Sequence, residues 1–391
     1  MDTLPTELLR DILSRCSEYA PILKEACYEW NEILSEKSVL RTVLSFEQMA
    51  ERGHIDLLEH IGKDKINAKI IPYILIFGAK GGHLNIMILA REWGADDYND
   101  ALKYAAANGQ ILAMHSLKEW GANYYDDALI SAAANGQIPV MRLLKEWGAD
   151  RYDRALASSA KNGQISAMQL LKEWGAVYYD YALVSAAKRG QLPAMHSLKE
   201  WGANVYNWAL AVAAANGQIS AMHLAKEWGA TNYNDALVYA AETAQISAMH
   251  LLKEWGTDDY DWALTVAAKN GQISTMHLLK AWGADDYDRA LISAAANEQI
   301  LAMHLLKEWG ATAYDDALVK ATKHGHISTM RLVKEWGATD YNWALAVASE
   351  REQIPAMHLL KKWGATDYRN ALFYGSQRIE IAELLKSWMN E

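Results

Sequence analysis

Seven histidines, His115, His196, His223, His250, His277, His304 and His358, recur at multiples of 27 residues, and a ladder of imidazoles is a set of metal ligands in waiting. The spacing argues against that use. Equivalent helices in successive structural units stand about 8–10 Å apart, whereas each imidazole on a zinc ion must come within about 2.1 Å of the metal. One packing histidine per unit is expected instead, with no metal and no cofactor. Eleven tryptophans from Trp93 to Trp363, and the tyrosine five residues after each, from Tyr98 to Tyr368, keep the same step and resemble a platform for sugars or bases. Residues identical in every unit do what every unit needs, which is closing unit against unit, and a large aromatic suits such a joint. Gly-x-Ser-x-Gly, a phosphate-binding loop and His-Glu-x-x-His are all absent, and the acids recur as caps or as solvated pairs such as Lys145-Glu146. No catalytic constellation is expected.

Specificity needs positions that differ between units. One register runs Asp100, Asp127, Arg154, Tyr181, Trp208, Asp235, Trp262, Arg289, Asp316, Trp343 and Asn370. A second lies one helical turn further on, from Tyr104 and Ser131 through Tyr239 to Val347. Trp, Tyr and Arg are the residues that anchor protein interfaces. Arg154, Tyr181, Trp208, Tyr239, Trp262, Arg289 and Trp343 are therefore the expected contacts to an unidentified protein partner.

Composition narrows the setting. A chain of 391 residues exceeds the size at which one core usually stops growing, so several domains or an open-ended stack is expected. The net charge of -10, with doublets such as Asp96-Asp97 and Asp285-Asp286, lacks the basic excess of a nucleic-acid binder. The opening MDTLPTELLRDIL carries acids where a signal peptide is basic and then apolar, and no apolar run reaches the length of a membrane span. Two cysteines, Cys16 and Cys27, are too few for a disulfide scaffold. The expectation is a soluble, cytoplasmic, monomeric protein with neither nucleic acid nor membrane as partner.

The elements that position these residues follow from the repeat. Trp-Gly-Ala, or Trp-Gly-Thr once, begins at Trp93 and then every 27 residues to Trp363. Gly53-His54 and Gly82-His83 mark two diverged units before this ladder, and Tyr368 opens a shortened unit after it. Thirteen turns result when these are counted with the regular ones. In the unit YDDALISAAANGQIPVMRLLKEWGAD, Asp or Asn follows the recurrent Tyr in ten of eleven units, Arg369 being the exception. That residue reads as the N-cap of a first helix. Ala128, Leu129, Ala132 and Ala133 fall on one face, and Asn135-Gly136 ends the helix. A second helix starts near Gln137, tolerates Pro139 in its first turn, buries Ile138, Met141 and Leu144, and closes at Gly148. Ala244, Glu298 and Glu352 replace the turn glycine in three units and should be strained there. Residues 1–41 then form an N-terminal helical segment. Residues 42–391 form the array, with diverged repeats at 42–92, regular repeats at 93–367 and a C-terminal cap at 368–391.

The pattern Ala-Leu-x-x-Ala-Ala-x-Asn-Gly-Gln-Ile-x-x-Met-x-Leu-Leu-Lys-x-Trp-Gly-Ala resembles the ankyrin repeat, whose average length is about 33 residues. The shortfall implies loss of the β-hairpin finger, leaving an all-α solenoid of about thirteen stacked helix-turn-helix repeats. The resemblance also implies that the first helices line a concave binding face. Leu4-Pro5-Thr6-Glu7-Leu8-Leu9 with Ile12-Leu13, then Ile22-Leu23, Cys27 and Trp30, resembles an F-box. Ala26 stands where that family has Val, and Tyr19-Ala20-Pro21 replaces its usual linker. This second resemblance implies docking on a Skp-type adaptor of a cullin ubiquitin ligase through Leu4, Pro5, Leu8, Leu9, Ile12, Leu13, Leu23 and Trp30. The combination is similar to F-box/ankyrin proteins of large DNA viruses, which implies recruitment of host proteins in the host cytoplasm. The same apolar residues would also serve a helix pair that caps a scaffolding or sequestering protein with no ligase link.

Overall fold

A computed structural model describes residues 46–390 of the chain. The expected adaptor-docking residues, Leu4 to Trp30, lie outside the described residues. Two compact bodies are present, the first ending at Asn204 and the second beginning at Val205, with the short turn 187–190 grouped with the second. Six helical hairpins make the first body, from Phe46–Arg52 with Ile55–Ile61 to Tyr179–Lys188 with Leu192–Glu200. Seven make the second, from Tyr206–Ala215 with Ile219–Glu227 to Tyr368–Gly375 with Ile379–Met389. The thirteen expected units are therefore found as hairpins among the described residues, and no strand occurs among them. The early spacing irregularity has a cause: a short 3-10 turn, Lys63–Lys65, lengthens the connection between the first two hairpins.

One unit shows why the sequence folds this way. Its first helix spans Tyr125–Ala134, and its Ala-rich sequence carries high helix propensity. Gly136 ends it at φ 68°, allowing Gln137 N–H to donate to Ala132 O at 2.9 Å. The Asn135 side-chain amide donates to Ser131 O at 2.9 Å and so occupies another terminal carbonyl. A Cβ there would also come within 2.5 Å of Gln164 Oε1 from the next unit, a flexible side-chain end that can move aside. Gly148 after the second helix, Ile138–Glu146, is needed for conformation alone: its φ is 103° and a Cβ would meet nothing within 4 Å. Ala244, Glu298 and Glu352 do adopt the left-handed conformation, at φ 56°, 56° and 58°, as their positions in the repeat require.

The N-cap assignment is corrected by the structure. The first helix begins at the recurrent Tyr itself, so the cap is the residue before it. Asn232, Asp259, Asp286, Asp340 and Asp367 accept a first-turn N–H in that role. The Asp or Asn after the Tyr points instead to the following unit. Asp126 Oδ1 accepts the backbone N–H groups of Asp150 at 2.9 Å and Arg151 at 3.1 Å. Asn99, Asp153, Asn207, Asp261, Asp288, Asp315 and Asn342 each accept a pair of linker N–H groups in the same way. A carboxylate or amide 24 residues upstream pairs them here.

Within each body, first helices pack on first helices of neighbouring units and on their own second helices. The buried set in this unit is Ala128, Leu129, Ala132 and Ala133 with Val140, Met141, Leu144 and Ala149. Ile138, expected inside, is only half-buried because it opens the helix at the lip of the layer, and Val140 takes the inner position. Burial of a Leu such as Leu129 or Leu144 contributes about 2 kcal/mol. The alanines contribute little area but let the helix backbones approach closely.

Candidate partner-binding surface

The identical registers are consumed by the joints between units. Trp147 receives Tyr125 of its own unit, rings 5.4 Å apart, and His115 of the preceding unit edge-on at 5.3 Å. Lys118 Nζ of the preceding unit lies 4.4 Å from the centre of the same ring. The arrangement recurs at Trp255 with His223, Tyr233 and Lys226, and at Trp282 with His250, Tyr260 and Lys253. Each such ring pair contributes about 0.5–1.5 kcal/mol and each cation about 0.5–1 kcal/mol at a partly exposed site. The ladder tryptophans are half-buried, and this places them at the edge of the joint rather than in its core. Lys145, expected solvated, is exposed and in addition has a ring partner: its Nζ lies 4.6 Å from the centre of Trp174. Among the described residues no group of His, Cys, Asp or Glu could hold a metal ion.

The varying registers carry the exposed aromatics, although most of the second register is half-buried. Tyr181, Trp208, Trp262 and Trp343 are 62%, 56%, 44% and 42% exposed, and Arg154, Arg289 and Tyr239 are exposed as well. An isolated exposed apolar residue is ordinary, whereas large aromatics repeated at one helix position are a feature of recognition surfaces. The structure brings some of them together. Arg289 stacks its guanidinium 4.3 Å from the Trp262 ring, and Arg154 and Tyr181 line one hollow of about 590 Å³. Trp343 meets Tyr374 edge-on at 5.6 Å.

Sequence reasoning missed Tyr178 and Lys161, which line the same hollow as Arg154 and Tyr181, and Phe373 and Tyr374 on the last first helix. The signal was available for two of these. Tyr178 belongs to the linker register that runs Asp97, Tyr124, Arg151, Tyr178 and Val205, and Lys161 to one that runs Ala134, Lys161, Lys188 and Ala215. Both registers differ between units, as a recognition surface must.

The fold defines a class, an all-α repeat protein of stacked helix-turn-helix units. No family model and no curated protein matches the sequence. Among solved structures the chain is similar to the human ASB11 ankyrin repeat domain, at 21% identity over 46% of this chain and 96% of that one, with a TM-score of 0.35. No helix among the described residues is long and apolar enough to cross a membrane.

Proposed function

We propose that the chain is a non-catalytic protein-binding module whose partner lies along the exposed face of the first helices. The observation that carries this is the division of labour between registers: the recurrent Ala, Leu and Met positions are buried and the recurrent Trp and Tyr are held in joints, while Tyr181, Trp208, Trp262 and Trp343, at a position that varies, stay exposed. Cross-linking of the full chain to its cellular partners, followed by mass spectrometry of the linked peptides, tests the reading. Cross-links concentrated on these first-helix positions and lost with Trp208→Ala and Trp262→Ala are expected. Cross-links confined to the second helices would overturn it.

The motif at Leu4 to Trp30 favours a more specific role, recruitment of that partner to a cullin ubiquitin ligase through a Skp-type adaptor, with the cytoplasm as its place of action. Its test is separate. Adaptor should co-purify with the full chain and be lost from Leu8→Asp with Leu9→Asp, because carboxylates on an apolar docking face cost several kcal/mol. If no adaptor binds, the chain is a scaffold or sequestering protein.

A further inference from the structure

The hollow in the first body differs in chemistry from the aromatic patches of the second. It exists because the residues at its base are small: Ala157 stands where neighbouring units carry Ile130 and Val184, and Ser158 and Ser185 stand where other units carry Tyr104 and Tyr239. Arg154 and Lys161 are seven residues apart on one helix, hence two turns apart on the same face, and both line it. Neither has an ion-pair partner among the described residues. The one acid on the lining, Asp153, is held at the linker, its Oδ1 accepting the N–H groups of Val177 at 2.7 Å and Tyr178 at 2.8 Å, and against the two cations it leaves the lining with one net positive charge. Tyr178 and Tyr181 flank the opening, 63% and 62% exposed. Two unpaired cations in a concavity walled by aromatic rings present a positive spot on a chain whose net charge is -10.

We infer that this hollow receives an acidic residue from an extended segment of the protein partner. The carboxylate lies between Arg154 and Lys161, where the guanidinium fork and the ammonium supply charge-assisted hydrogen bonds. Side chains next to it pack on Tyr178 and Tyr181. The inference rests on the protein-binding reading and adds to it the chemistry of one subsite.

Panning the full chain against a random heptapeptide library, with anisotropy titration of the labelled winners, tests this. Enriched peptides should carry Asp or Glu next to an apolar or aromatic residue. Replacing that acid by Gln or Asn in the peptide, or Arg154→Glu with Lys161→Glu in the protein, should each weaken binding about tenfold or more with the melting curve unchanged. Three results would overturn the inference: no enrichment, winners without an acid, or binding that survives the charge reversal. Peptides that bind only when phosphoserine replaces the acid would assign the hollow to a phosphate instead. The broader reading is separable, because it stands if Trp208→Ala or Trp262→Ala abolishes partner cross-linking whatever the hollow does.

Discussion

Asp261 Oδ1 accepts the backbone N–H of Asp285 at 2.8 Å, and that of Asp286 at 3.0 Å, across the boundary between two units. Asp261→Ala removes the acceptor of both groups. The site is partly exposed, so water replaces some of what is lost, and about 1 kcal/mol of stability should go. Asp261→Asn should cost much less, since Asn207 and Asn342 already do the same work with an amide. Urea denaturation of both variants measures it. Equal losses for Asn and Ala would show that the acceptor does not matter.

Ala244 holds φ 56° where most units have glycine. Ala244→Gly relieves a left-handed conformation that costs a residue with a Cβ about 1 kcal/mol, and should raise stability by about that much. Thermal melting reads the gain. A lower melting temperature would mean that the extra freedom of glycine in the unfolded chain outweighs the relief.

Trp282 and Trp262 should respond differently to truncation. Trp282 is half-buried among Tyr260, His250 and Lys253, so Trp282→Ala should cost about 2 kcal/mol, less than the loss expected of a fully buried aromatic. Trp262 is 44% exposed and keeps contact with Arg289, so Trp262→Ala should cost under about 1 kcal/mol of stability yet weaken partner binding by about 2 kcal/mol. Melts and partner titrations of both variants decide. If Trp262→Ala unfolds the protein and Trp282→Ala does not, the two faces have been exchanged.

His324 has its pKa lowered from the ordinary 6.5 by partial burial, by His326 stacked at 5.8 Å and by the cations Lys323, Lys320 and Arg351. A histidine that resists protonation in the fold stabilises it above the unfolded value and loses that contribution as the pH falls through and below 6.5. His324→Asn removes the titration and restores the residue whose amide caps the helix in other units, as Asn297 does on Ser293 O at 2.9 Å. The drop in melting temperature between about pH 7.5 and pH 5 should be smaller in the variant than in the parent. Equal drops would place the acid sensitivity at other groups than His324.

The sequence by itself determined what depends on neighbours along the chain. The 27-residue step, two helices per unit, the alanine-rich inner face and the strained turns at Ala244, Glu298 and Glu352 all follow from local backbone requirements and from helical periodicity. Tertiary structure decided the particular contacts that join one unit to the next, although the recurrent aromatics already pointed to joints. Asp126 is as plausible a cap for its own helix as an acceptor for the next linker, because both sets of N–H groups want an oxygen. Only the stacking offset, which brings Asp150 within 2.9 Å, selects the second. Lys145 is exposed as expected, but its contact with Trp174 exists only because the following unit places that ring beneath it, and Ile138, expected in the core, is half-buried because Val140 faces the neighbouring helices instead. The hollow at Arg154 is of the same kind: small residues on two helices make a cavity only when the helices stand side by side, and their spacing is a property of packing that no single unit encodes.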